Sequence, residues 1–318
     1  MFNTSDCARA KASQPLIQVL IALTVMVCAP APSWARVALK QPEPETVSLY
    51  LNVEKGDKLI TGLGQENFRL YIDGKFVPFR LEKPEEPASI ALLVEYSRSS
   101  GYYLEDLDTA MRGFLKYAPE GNWYALGTYS QGLTVNADFT WLTGEIVDAY
   151  SGLGPPMWNE INTYDAIYEM LDKMGRLPGR RVLIVAGSGI DTFSEHNLDD
   201  VKKKIESVNV VVFVASTGSV FRGAYDLNPG ARLTLFQAQA FLQMIANSSG
   251  GFAWFPNHVN AFPDVIHGTM QSIECQYRLV YQSPLRLDGK FHKIKVEAFR
   301  IVNDKREDFK VLVRSGWR

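Results

Sequence analysis

ALLVEYSRSSG, residues 91–101, is the stretch that decides how this 318-residue chain folds. Apolar residues from Ile90 to Val94 meet one carboxylate, Glu95, and then two hydroxyls spaced one residue apart, Ser97 and Ser99. An uninterrupted apolar run of this length, bounded by turn residues, predicts a strand buried on both faces. Its abrupt end among oxygen-bearing side chains marks a site. Three contents are open: a metal ion, a substrate, or nothing at all.

The pattern recurs downstream. Residues 182–186 form a second apolar run that ends in Gly187-Ser-Gly189, residues 208–215 a third, mostly valine, and residues 252–255 a short fourth. Helical periodicity falls between them, at 103–117, 164–174, 198–207, 233–247 and 265–275. Residues 123–129 and 133–139 read as a hairpin around Ser130-Gln-Gly132. Strands alternating with helices predict an α/β domain over residues 88–275: a doubly wound, mostly parallel sheet covered on both faces. Right-handed crossovers align the C-terminal ends of such strands along one rim. Residues 95–99 and 187–191 then share the rim where α/β folds bind ligands.

Both flanks change to a period of two. Val47, Leu49, Leu51 and Val53 alternate with polar residues; Phe68, Leu70 and Ile72 do so up to a turn at Asp73-Gly74, and residues 76–81 return. After Cys275 the alternation resumes at Tyr277, Leu279 and Tyr281 and again at Ile294 and Val296. Neither the β unit at 46–83 nor the one at 276–318 can bury a core alone. The two are expected to pair into one β-sandwich, with the α/β domain inserted between them.

The N-terminus reads as an address. Arg9 and Lys11 precede an apolar stretch at 15–29, and Ser33-Trp-Ala35 supplies small residues where a signal peptidase cuts. The expectation is a signal peptide over 1–35 cleaved after Ala35, a Pro-rich linker over 36–45, and a secreted or periplasmic protein; a retained anchor is the alternative. Cys7 and Cys28 leave with that segment, so Cys275 has no partner for an internal disulfide. A net charge of −2 without a dense Lys/Arg run gives no reason to expect nucleic acid. No Gly-x-Ser-x-Gly elbow, Gly-x-Gly-x-x-Gly or Walker sequence occurs, which weighs against an enzyme.

Six segments in order, at 53–63, 68–74, 92–99, 163–167, 188–192 and 277–281, resemble the bacterial VWFA-related proteins of the acidobacterial type, whose cores are von Willebrand factor A domains. The resemblance implies that fold and a rim site. In metal-binding A domains the first rim loop reads Asp-x-Ser-x-Ser, and a distant Thr and Asp complete a site for Mg²⁺ or Mn²⁺ that takes a carboxylate from a protein partner. Here Glu95 replaces the first Asp, Ser97 and Ser99 match, the Thr position falls on Ile161 and the second acid on Ser188. What the resemblance implies is thus a degenerate site, with Glu95, Ser97 and Ser99 as the remaining metal set and Mg²⁺ or Mn²⁺ as the ion in question. The expected function is an exported, non-enzymatic adhesion or assembly module that binds protein through Tyr96, Arg98, Trp158, Ser188 and Asp191. A cation-dependent adhesin and a rim-serine hydrolase are the alternatives. Plainer roles stand beside these: Asp191 capping a loop, the serines holding loop amides, Glu95 accepting from both, and Trp158 packing under its own loop.

Overall fold

β6 (Ser89–Glu95) is buried along almost its whole length, because strands flank it on both sides and helices cover both faces. This computed structural model describes residues 46–318 apart from 57, 86, 104–106, 109–110, 112, 115–116, 221–225 and 284–287. The expected signal peptide and linker lie outside the described residues. β6 runs parallel to β7 (Trp123–Tyr129) on one side and to β9 (Arg181–Gly187) on the other. β10 (Val211–Ser216) lies parallel to β9, and β11 (Ala253–Trp254) parallel to β10. β8 (Leu133–Thr140) pairs antiparallel with β7 and closes the edge, giving the order β11-β10-β9-β6-β7-β8. The sheet is therefore mixed. Ser130–Gly132 is too short for a parallel crossover, so β8 can only fold back.

The pleat sorts β6. Ile90, Leu92 and Val94 face one core, together with α1 (Thr143–Ser151), α5 (Phe262–Glu274) and helical residues Leu107, Met111 and Phe114. Ala91 and Leu93 face the other, made by α2 (Thr163–Gly175), α3 (Leu198–Ser207) and α4 (Pro229–Ser249). Each fully buried Leu, Ile or Phe contributes on the order of 1.5–3 kcal/mol. The helix ends follow local chemistry. Asn197 accepts from the Asp199 and Asp200 N–H groups to start α3. Asn228 caps α4 ahead of Pro229, and Gly250 at φ 90° stops it.

The flanks form a second sheet in the order β4-β3-β13-β14-β1-β12-β5. Its members are β1 (Thr46–Lys55), β3 (Phe68–Ile72), β4 (Lys75–Phe76), β5 (Phe79–Glu82), β12 (Tyr277–Gln282), β13 (His292–Val302) and β14 (Lys305–Val313). The short β2 (Lys58–Leu59) and β15 (Gly316–Trp317) attach to β1 and β13. Strands of the two flanks join in one continuous antiparallel path. β1 carries β12 on one edge over Thr46–Leu51 and β14 on the other over Leu51–Glu54, so its two neighbours are offset along the strand. Its core is Leu49, Leu51, Phe68, Leu70, Ile72 and Leu279 with their neighbours. The return strand expected at 76–81 also divides. Pro78 offers no N–H to a ladder, so β4 ends at Phe76 and β5 pairs β12 instead.

Buried polar groups join the two layers. Asn52 Nδ2 donates to Ser272 O at 2.7 Å, and the Arg314 guanidinium donates to the Glu206 carbonyl at 3.0 Å. Burial pushes Arg314 down to about 10. It still keeps its charge at neutral pH.

Candidate functional site

Glu95 is the last residue of β6 and is fully buried. Its Oε2 accepts from the Ser188 N–H at 2.6 Å and from Ser188 Oγ at 2.7 Å; its Oε1 accepts from Ser100 Oγ at 3.0 Å. Two glycines permit this. A Cβ on Gly187 would stand 2.5 Å from Tyr129 Oη and 3.0 Å from Glu95 Oε2, so only Gly leaves room for the carboxylate. Gly189, at φ 77°, takes the left-handed turn that directly follows Ser188.

The hydroxyls form a directed chain. Ser100 has one proton and gives it to Glu95, so Ser97 is the donor in the 3.0 Å contact between Ser97 Oγ and Ser100 Oγ. Each of these two oxygens also accepts the other residue's N–H at 3.2 Å. Both serines are fully buried, so neither hydroxyl meets solvent.

Of the metal set implied by the family resemblance, the structure links Glu95 with Ser97 through Ser100. Ser99 is left out: it is exposed, and its Oγ donates to Asn159 O at 3.4 Å. The reason is the 3₁₀ turn at Arg98–Tyr103. With three residues per turn, side chains three apart share a side, which aligns position 100 with 97 and turns 99 away. Ser100 is thus the functional hydroxyl that spacing by two missed; the third Ser of the run was its only sequence signal.

The loops across the rim are tied by main-chain bonds. Ile161 is buried; its N–H donates to Thr192 Oγ1 at 2.9 Å and its carbonyl accepts the Thr192 N–H at 2.8 Å. The buried Thr163 hydroxyl donates to Ile190 O at 2.5 Å. Asp191 accepts from the Tyr164 N–H at 3.0 Å and from Ser194 Oγ at 2.6 Å, so it caps α2 from another loop. Asn162, at the α2 N-cap position, makes no cap bond and donates to Gln131 O at 2.8 Å. Beside it, burial alone would raise the Asp165 carboxyl, but the N–H groups of His196 and Glu195 and the His196 imidazole hold it below the ordinary range.

The expected partner residues divide. Ser188 is buried with its hydroxyl spent on Glu95, and Asp191 is spent on α2, so neither offers itself outward. Arg98 and Trp158 do. Trp158 does not pack under its own loop: it is 48% exposed and Met157 is 66% exposed. Their loop is held by the Arg98 N–H to Trp158 O, 2.7 Å, and by Tyr96 Oη to Gly154 O, 2.9 Å. Desolvation raises the Tyr96 phenol. A cleft of about 140 Å³ lies between them, walled by Tyr96, Tyr129, Pro155, Pro156, Met157 and Trp158.

These residues do not fit a divalent cation. The one carboxylate already accepts at least three protons, Ile161 offers no oxygen where the family pattern has Thr, and Ser188 no charge where it has Asp. Among the described residues no group of three His, Cys, Asp or Glu side chains converges.

No family model matches the chain, and no curated protein matches it. Solved structures do. A von Willebrand factor type A protein from Catenulispora acidiphila is 10% identical, with 86% of this chain and 74% of that one covered at a TM-score of 0.45. The ArnB paralog VWA2 from Sulfolobus acidocaldarius is 13% identical, with 86% and 72% covered at 0.43. Proximal thread matrix protein 1 from the mussel byssus, with a zinc-occupied MIDAS motif, is 17% identical at 0.42; there the chain spans 46% of that protein's length. The chain is similar to proteins with von Willebrand factor A domains, at an overlap too low to carry any residue's role across.

Proposed function

We propose that this chain is an exported, non-enzymatic protein-binding module of the von Willebrand factor A kind, its mixed sheet a variant of the doubly wound one, and that it docks its partner at the rim beside β6. One observation carries the reading. Met157 and Trp158 stand out in solvent on a loop that main-chain and Tyr96 hydrogen bonds hold in place. Exposed Trp with neighbouring Tyr and Arg is the composition that dominates interface energy, and a pre-positioned loop loses little entropy on binding. Export is supported by residues 1–35, with basic Arg9 and Lys11, an apolar stretch and Ser33-Trp-Ala35. Among the described residues no helix is long and apolar enough to cross a membrane.

The test is capture of proteins from the native cell-envelope fraction by the wild-type chain and by Trp158→Ala and Tyr96→Ala variants. A specific partner should be retained by wild type and weakened by Trp158→Ala by about 2 kcal/mol, roughly thirtyfold, with the melting temperature unchanged. Equal capture by all three overturns the reading. Turnover of an ester or peptide substrate that vanishes in Ser97→Ala would favour a hydrolase instead.

A further inference from the structure

We infer that Glu95 is a positioning residue: an internal anion that takes the rim's own donors and holds the β6 and β9 loops together, so that the rim is assembled without a cation. The inference concerns the same rim as the proposed docking but does not depend on it.

A carboxylate offers about four lone-pair positions, and three here receive protons at 2.6, 2.7 and 3.0 Å. A divalent ion approaching these oxygens would face the Ser188 N–H, the Ser188 hydroxyl and the Ser100 hydroxyl. The hydroxyls can rotate away; the main-chain N–H cannot. It belongs to the main chain leaving β9, next to a turn at Gly189 where any Cβ would lie 2.7 Å from Leu242 and 2.9 Å from the Ala238 carbonyl. Moving that turn means repacking α4.

β6 and β9 are neighbouring parallel strands, and Glu95 spans from one to the loop that follows the other. Aspartate at position 95 is one methylene shorter. It would withdraw the oxygens from Ser188 and leave a buried N–H without an acceptor. The lengthened acid and the loss of charge at position 188 are thus complementary: the longer residue needs a donor opposite it, and Ser188 supplies two. Asp191, the nearest other acid in sequence, is committed to α2.

Two measurements on the purified full chain test this. The first is calorimetric titration with Mn²⁺ and Mg²⁺, together with melting in EDTA and in each ion. The expected result is no saturable heat up to about 5 mM ion and a melting shift below about 1 °C, since an ion that binds only the native state would stabilise it by mass action. Saturable binding in this range overturns the inference, and this arm needs no variant to fold. The second is hydrogen exchange at the Ser188 amide. It should be strongly protected in wild type and should exchange at least about tenfold faster in Glu95→Asp, while Glu95→Gln, which keeps an acceptor at full reach, recovers part of the protection. Equal protection in wild type and Glu95→Asp overturns it. Neither arm reads partner capture, so failure of docking and failure of this inference are separate results.

Discussion

The Asp191 carboxylate, in the loop after β9, accepts the Tyr164 N–H in the first turn of α2 at 3.0 Å. A helix N-terminus leaves four N–H groups without intrahelical partners, and an acid there also meets the positive end of the helix dipole. The local sequence places Asn162 at the cap, but Asn162 turns to Gln131 and Phe193. The cap is supplied across 27 residues of chain instead.

Asp191→Ala should therefore destabilise the fold by about 1 kcal/mol, the usual cost of a lost cap. The Ser194 hydroxyl, which donates to the same carboxylate at 2.6 Å, loses its acceptor as well. Asp191→Asn should recover most of the loss, because it keeps an acceptor for Tyr164. Urea unfolding of the three proteins decides the matter. An Asp191→Ala protein as stable as wild type would remove the capping role and return the residue to the candidates for partner contact.

Glu95→Ala should cost far more. Three buried donors lose their acceptor at once, and an unsatisfied buried donor costs about 1–3 kcal/mol. Relaxation and entering water will recover some of this, so a loss of roughly 3 kcal/mol is the expected outcome of chemical denaturation. A loss under about 1 kcal/mol would show that the loops do not depend on the carboxylate.

The buried strands are legible in the sequence, and the partners of Glu95 are not. Runs such as Ile90–Val94 announce buried strands because burial on both faces leaves no polar position, and the rim follows from strand direction alone. Glu95 was visible as an acid interrupting an apolar run. Its partners were not. Ser100 rather than Ser99 meets it because the chain enters a 3₁₀ turn at Arg98, a backbone choice that spacing does not encode. α1 was missed for a related reason: it buries only Ile146 and Tyr150, and Gly144 depresses its helical signal. The flank sheet depends on β1 taking β12 and β14, from the far end of the chain, on its two edges, a long-range pairing with no local mark.

His292 gives the fold a pH dependence of known sign. Its Nδ1 faces Asp73 Oδ2 at 2.8 Å and its Nε2 faces Asp288 Oδ1 at 3.1 Å, with the Trp317 ring 5.4 Å away. The hydrogen bond to Asp73 does most to raise the imidazole above its ordinary value; burial opposes it, and the bond to Asp288 adds to the rise. A folded-state value above the unfolded one means the contribution is fully present below the unfolded value of about 6.5. It is lost as pH rises through the folded value. Asp73 and Asp288 are both lowered and act oppositely, their contribution being lost only as pH falls through their own folded values. The melting temperature of wild type should thus decline from about pH 6.5 upward more steeply than that of His292→Gln. Parallel curves for the two proteins would refute the assignment.

Three glycines give a graded test of the rim's geometry. Gly187→Ala places a methyl 2.5 Å from Tyr129 Oη and 3.0 Å from Glu95 Oε2, inside the buried bond network itself. Overpacking of this kind typically costs about 1–3 kcal/mol, and here the relaxing atoms are the carboxylate and its donors. The Ser188 amide should lose protection along with the stability. Gly132→Ala, in the hairpin turn between β7 and β8, meets nothing within 4 Å and is not at positive φ, so it should leave both quantities unchanged. Gly144→Ala, open on all sides within α1, should stabilise by about 0.5–1 kcal/mol through reduced backbone freedom in the unfolded chain. The order Gly187 below Gly132 below Gly144 in stability, with amide protection changed only at the first, is what a carboxylate wedged against Gly187 requires. Loss of stability at Gly187→Ala with Ser188 still fully protected would place the strain on Tyr129 alone and leave Glu95 undisturbed.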